Sequence, residues 1–183
     1  GKVKIRENVV AELINSDEMQ RLKEVSQEGY FHPFFSGIRR NNRFEHSLGV
    51  FALLGKYNAN LLEQLSGLLH DVSHGAFSHC LDYALNNGSE KEQNLQDNMH
   101  KEFVRKSRIP EILEKHGLDL DYILDDGNFP LKERELPDLC ADRIDYCLRG
   151  ALAHGIINGK DIETLIANLM VEDQQWIFAN FEN

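Results

Sequence analysis

The chain has 183 residues, 42% hydrophobic and 27% charged, with a formal net charge of −10 at pH 7 and a pI near 5.2. That length and balance suit one globular domain with a sizeable core rather than a disordered segment. No run reaches the roughly 18 apolar residues of a membrane span and the amino terminus has no apolar signal core, so a cytoplasmic protein is expected. The acidity argues against a broad nucleic-acid surface, which must neutralise many phosphates, and the odd set Cys80, Cys140 and Cys147 indicates neither a disulfide framework nor a thiolate zinc site.

Residues 7–14 and 18–25 each carry apolar side chains on one side, predicting two short amphipathic helices around Asn15-Ser16-Asp17. The stretch from Gly29 to Gly37 is rich in aromatics, contains Pro33 and reads as an irregular loop. Arg39, Arg40 and Arg43 then cluster in an otherwise acidic chain, a local field able to hold a small phosphate. From Phe44 to Tyr57 the positions Val50, Leu53, Leu54 and Tyr57 are helical, and His46 lies one turn before Val50, which aims it at the core. Leu61, Leu65, Leu68 and Val72 continue the pattern at i, i+4, i+7 and i+11, predicting a buried helix through His70-Asp71, with His74 one turn beyond His70.

Asn86-Asn87-Gly88 stops a helix, and the polar run 86–98 reads as loop. A further helix is expected from Met99, another short one from Pro110 to Gly117, and a turn at Asp125-Asp126-Gly127. Pro137 starts the next long helix, Asp138 to about His154, with Leu139, Ile144, Cys147, Leu148, Ala151 and Leu152 buried and Cys140 also in the core. Asp142, Tyr146 and Arg149 follow helical spacing on its other face. A helix from about Asp161 to Leu169 precedes Met170-Val171 and Trp176-Ile177-Phe178, which can pair as a small hairpin across Glu172 to Gln175. The sum is an all-α chain of about eight helices with at most one small C-terminal β-hairpin.

Four donors sit on helices with reason to face the core: His46, His70, Asp71 and Asp142. Two imidazoles with two carboxylates suit one divalent ion of manganese, iron, zinc, nickel, cobalt or magnesium, and the mix does not choose among them. Such an ion acidifies bound water and polarises a phosphoryl oxygen. His74, Asp82 and His100 form a second layer, in which a histidine paired with a carboxylate can act as general acid near neutral pH. His79 is turned away by its spacing and is assigned to structure.

Three strings, Asn42-Arg43-Phe44-Glu45-His46-Ser47-Leu48-Gly49-Val50, then Gly67-Leu68-Leu69-His70-Asp71-Val72-Ser73-His74-Gly75-Ala76-Phe77-Ser78-His79, then Ala141-Asp142-Arg143-Ile144-Asp145-Tyr146, resemble the HD-domain metal-dependent phosphohydrolase superfamily, nearest its deoxynucleoside triphosphate triphosphohydrolase branch. The resemblance covers roughly residues 16–156 and implies one HD-type domain over 1–183, a helical bundle with a central metal. It implies that His46, His70, Asp71 and Asp142 hold the metal and that His74, Asp82 and His100 act on the leaving group or attacking water. It places Arg43 and Arg143 at phosphate-contacting positions and Tyr146 against the sugar. Two departures stand out: Gly150 replaces an aspartate that grips the sugar hydroxyl in the triphosphohydrolases, and Ser73 replaces a common glycine.

The leading expectation is a phosphohydrolase acting on an ester or anhydride of a nucleotide or small phosphorylated metabolite, with no membrane partner. Larger enzymes of the branch form oligomers, so a homo-oligomer is open to this chain. A phosphodiesterase on a cyclic or dinucleotide substrate is the enzymatic alternative; it calls for a second metal and lacks the Gly-Tyr-Pro motif of the cyclic-dinucleotide branch. A low-turnover nucleotide-binding module is the third reading.

Overall fold

The computed structural model describes residues 5–29, 41–77 and 95–179. Helix α1 (Asn8–Ile14) and α2 (Asp17–Gln20) run into a 3-10 turn, Arg21–Glu24. The long helices α3 (Arg43–Lys56) and α4 (Leu61–Leu69) follow, then α5 (Leu95–Arg105), α6 (Ile109–Lys115) and the single turn α7 (Leu120–Ile123). Helix α8 (Ala141–Ala153) and α9 (Gly159–Asn168) lead into a hairpin of β1 (Leu169–Glu172) and β2 (Gln175–Phe178). The described residues are therefore mostly helical with one small C-terminal hairpin, as expected. No helix among the described residues is long and apolar enough to cross a membrane.

Side-chain caps set where the two central helices begin. The Asn42 carboxamide accepts from Glu45 N at 2.8 Å, and Asn60 accepts from Glu63 N at 2.9 Å, satisfying amides that a helix start leaves without partners. Helix α3 lies between two apolar clusters. Its Phe51 joins Val10, Leu13, Leu22, Leu65, Leu68, Val104, Ile109, Leu113 and Ile123 on one side. Its Val50, Leu53 and Leu54 meet Leu131, Ala141, Ile144, Leu169 and Trp176 on the other. The α3–α4 crossing is close because Gly67 has no side chain; a Cβ there would lie 2.6 Å from Leu54 Cδ1.

The hairpin pairs Leu169 with Phe178 and Glu172 with Gln175, and Asp173 and Gln174 both take positive φ, as a two-residue turn matched to strand twist requires. The Trp176 indole donates to Leu131 O at 2.8 Å and packs edge-to-face on Tyr57 at 5.0 Å, which fastens the hairpin to the segment preceding α8.

Several boundaries differ from the sequence-based expectation. Helix α4 ends at Leu69, and Val72 N to Leu69 O and His74 N to Asp71 O, both 3.0 Å, close tighter i to i+3 turns instead. Helix α5 begins at Leu95 rather than Met99; the polar sequence Gln96-Asp97-Asn98 shows no apolar period from which its first turn could be read. Helix α8 begins at Ala141 rather than Asp138, because its first amides bond a neighbouring segment, Ala141 N to Leu131 O at 2.8 Å and Asp142 N to Lys132 O at 3.4 Å. Cys140 is buried as expected, but Cys147 is exposed, since α8 turns only Ala141 and Ile144 fully inward. The turn α7 was not anticipated; Asp119 caps it by accepting from Asp121 N and Tyr122 N, and four residues are too few to show a period.

Candidate metal centre and cavity

Helices α3, α4 and α8 bring His46, His70 and Asp142 to one point. His46 Nε2 lies 3.1 Å from His70 Nε2 and 2.8 Å from Asp142 Oδ1, and His70 Nε2 lies 3.4 Å from that same oxygen. These are the separations expected of neighbouring ligands about 2.0–2.2 Å from a shared ion. It is the group of three metal-competent side chains found among the described residues.

The partners behind the rings determine what the three atoms are. His70 Nδ1 is 2.7 Å from Gly67 O, which can only accept, so Nδ1 carries the proton there. His46 Nδ1 is 2.8 Å from Asp145 Oδ2 and likewise donates. In their neutral forms both rings then present Nε2 lone pairs to each other and to a carboxylate oxygen. Three acceptors in contact require a cation, either a proton or a metal ion, and the donor set fits a divalent one. In the metal-free protein that role falls to protons: burial opposes charge on His46, but Asp142, Asp145 and Asp71 outweigh it and push its pKa up to about 10. His70 is raised in the same way, by Asp71 and Asp142 against burial. Asp142 is held far below the usual carboxylate range, against burial, by the two imidazoles.

Asp71 stands beside this triad. Its oxygens lie 3.6 Å from His70 Nε2 and 3.7 Å from His46 Nε2, while Arg43 Nη1 donates to Oδ2 at 2.6 Å and His74 Nε2 is 3.3 Å from Oδ1. Although burial opposes ionisation, Arg43 and the three histidines hold Asp71 well below its ordinary pKa. Arg43, expected at a phosphate, is thus buried against a carboxylate. His100 Nδ1 is 3.1 Å from Ser73 Oγ, and burial, Lys132 and His70 lower its pKa to about 4, so it is neutral at pH 7. The cavity over the site has a volume of about 270 Å³ and is lined by Ser66, His70, Asp71, His100, Lys132 and Asp142, among others.

Two expected residues make other contacts. Arg143 gives its guanidinium to the carbonyls of Asp138 and Arg134, beside Glu133. Tyr146 lies on the exposed side of α8, with burial raising its pKa. Asp82, like Arg39, Arg40 and His79, lies outside the described residues.

Two positions that sequence reasoning left without a role matter here. Asp145 orients His46 and is itself gripped by Arg149 through Nε and Nη2, each at 2.9 Å. Its signal was the i, i+4 Asp–Arg pair one turn past Asp142. Arg21 donates to Val72 O at 2.6 Å and His74 O at 2.9 Å, pinning the turn that carries His70, Asp71 and His74; nothing in the local pattern reveals it.

The HD domain profile matches residues 43–150, which contain all four proposed ligands. The chain belongs to the HD-domain metal-dependent phosphohydrolase superfamily. It is 40% identical over 91% of its length to the uncharacterized protein YdhJ of Bacillus subtilis, covering 50% of that protein. It is 38% identical over 92% of its length to the metal-dependent phosphohydrolase cns2 of Cordyceps militaris, covering 48% of it. Toward the deoxynucleoside triphosphate triphosphohydrolase SAMHD1 of Gallus gallus it is 30% identical over 62% of its length and 22% of that protein. A crystal structure of a hypothetical protein from Aquifex aeolicus aligns over 94% of this chain and 50% of that one, with a TM-score of 0.68 and 28% identity. The HD-domain chain thus spans about half the length of the first two relatives.

Proposed function

We propose that this HD domain, over residues 1–183, hydrolyses a phosphate ester or anhydride of a nucleotide or small phosphorylated metabolite. The observation that carries the reading is the convergence of His46 Nε2, His70 Nε2 and Asp142 Oδ1 as acceptors within 2.8–3.4 Å, at the floor of a cavity that also holds His100. His46, His70 and Asp142 would hold one divalent ion, with Asp71 as fourth ligand after a small rotation. Once bound, such an ion supplies a water of lowered pKa and polarises a phosphoryl oxygen.

The surrounding side chains divide the remaining work. Arg43 keeps Asp71 ionised and directed inward, and stands ready to balance charge on a substrate oxygen. His74, with Nε2 3.3 Å from Asp71 Oδ1, would act as general acid toward the leaving oxygen. Neutral His100 supplies a hydrogen bond at the cavity wall, and Asp82 is proposed as His74's partner in that transfer. Arg143 and Tyr146 would reach the substrate from α8. The nucleotide preference is supported by likeness to a protein named as a deoxynucleoside triphosphate triphosphohydrolase; Gly150, where the resemblance to that branch implies a sugar-gripping aspartate, favours a different or looser hold on the sugar.

The test is release of phosphate and pyrophosphate from nucleoside mono-, di- and triphosphates, deoxy and ribo, cyclic dinucleotides and an aryl diester. Manganese, magnesium, zinc, nickel and cobalt are tried in parallel. Metal-dependent release that vanishes in Asp142→Ala is the expected result, and the product identifies the bond. Undiminished release in that variant would overturn the assignment.

A further inference from the structure

We propose that Lys132 is the substrate-phosphate ligand of this cavity, with Asp126 holding its place in the ligand-free protein. The identity of the anion as a substrate phosphate rests on the hydrolase reading; the anion site itself rests on the geometry.

Lys132 is only 4% exposed and lines the same cavity as His70, Asp71, His100 and Asp142. A buried ammonium is costly unless an anion meets it. The anion present is Asp126, which forms an ion pair with Lys132 Nζ, yet the two partners differ sharply in setting: the side chains are 5% and 61% exposed. Here a solvated carboxylate on a 3-10 turn, Asp126–Asn128, covers a cation seated inside. A phosphate oxygen entering the cavity can take over the ammonium while Asp126 returns to water, so the exchange leaves no charge buried alone.

The backbone of Lys132 is also unusually constrained. Glu63 Oε1 accepts from Leu131 N at 2.8 Å and Lys132 N at 3.2 Å. Leu131 O accepts from Trp176 Nε1 and Ala141 N, both at 2.8 Å, and Lys132 O accepts from Asp142 N at 3.4 Å. The lysine is therefore fixed relative to Asp142 by a direct backbone bond, and its reach into the cavity is set by the core rather than by a loop. Arg43 is paired with Asp71 and Arg143 with main-chain carbonyls, so each must share or give up those partners to meet a phosphate. The Lys132 charge also reaches His100 across the cavity and helps keep it neutral.

The experiment titrates manganese-loaded protein with inorganic phosphate by calorimetry for wild type, Lys132→Gln, Lys132→Arg and Asp126→Asn, with manganese content measured on each. Lys132→Gln should weaken phosphate roughly 10- to 100-fold, the range of one charge-assisted hydrogen bond, at unchanged manganese content. Lys132→Arg should recover most of that affinity. Asp126→Asn should tighten phosphate severalfold by releasing the ammonium. Equal affinity in Lys132→Gln, weaker binding in Asp126→Asn, or no phosphate binding by wild type overturns the proposal. If Lys132→Gln does not fold, the exposed Asp126→Asn decides by its sign. Substrate hydrolysis on the same preparations separates the two readings: turnover with Lys132-independent phosphate affinity removes this inference and keeps the hydrolase, and Lys132-dependent phosphate affinity without turnover does the reverse.

Discussion

Gly49 has one face against the Asp145–Arg149 pair, and adding a single methyl there should disturb the metal site from behind without touching a ligand. A Cβ at this position would lie 2.5 Å from Arg149 Nη2 and 2.6 Å from Asp145 Cγ, and closer still to Asp145 Oδ1. The pair must move off α3, and Asp145 then loses its 2.8 Å bond to His46 Nδ1. Carboxylates behind metal-binding histidines typically change metal affinity 10- to 100-fold when lost, about 1.4–2.7 kcal/mol. Helix propensity works the other way, because alanine in a helix interior is favoured over glycine by about 1 kcal/mol. Gly49→Ala should therefore bind manganese 10- to 100-fold more weakly while the metal-free protein changes its melting temperature little. Asp145→Asn should give a similar loss, and the double variant should fall well short of the sum because both act on one contact. Calorimetric or paramagnetic manganese titration measures it. Wild-type affinity in Gly49→Ala would refute the claim that Asp145 controls His46.

Metal binding must displace the proton that His46 holds, its pKa raised to about 10 by the surrounding carboxylates against burial, so manganese affinity is expected to climb from pH 6 toward pH 10; pH-independent binding would count against the acceptor triad. For the metal-free protein the raised folded-state pKa means that His46 stabilises the fold fully below its unfolded value near 6.5 and loses that contribution as pH rises toward 10. Urea unfolding across that interval should show falling stability, with added metal removing the trend. Asp71 and Asp145 are lowered and have the opposite sign, their contribution being present above the ordinary aspartate range and lost as the solution is acidified below it. Leu54→Ala empties a fully buried site between α3, α4 and the hairpin cluster; a cost of about 3 kcal/mol should lower the melting temperature by about 6–12 °C. Glu63→Ala strands the buried amide of Leu131, while the Lys132 amide keeps Phe129 O at 3.1 Å; it should cost about 1–3 kcal/mol, seen as a lower urea midpoint, and should weaken phosphate along with it.

Much of the site was legible in the chain because its chemistry is written in periodic elements. His46 shares the α3 stripe with Val50, Leu53 and Leu54, so its core-facing direction follows from spacing alone, whereas Asp142, on the opposite face of its helix from Ile144, is picked out by the Ala141–Tyr146 motif. The hairpin was legible for a similar reason, since the apolar pairs 170–171 and 176–178 flank a polar turn. What spacing could not supply was the order of contacts across elements. Asp71 was expected as an equal ligand, and in the fold Arg43, 28 positions away, holds its Oδ2, which only the packing of α3 on α4 decides.

Length, acidity, three motifs and the terminal hairpin follow from the sequence by itself, because local periodicity and residue chemistry act over a few neighbours. The triad's closure, the grip of Arg149 on Asp145, the clamp of Arg21 on the His70–His74 turn and the seating of Lys132 beside Asp142 belong to the tertiary structure. Each joins groups from separate elements whose approach depends on close packing at glycines such as Gly49 and on buried backbone amides finding acceptors. Such pairings are set by the whole core at once, and no local stretch of sequence carries them.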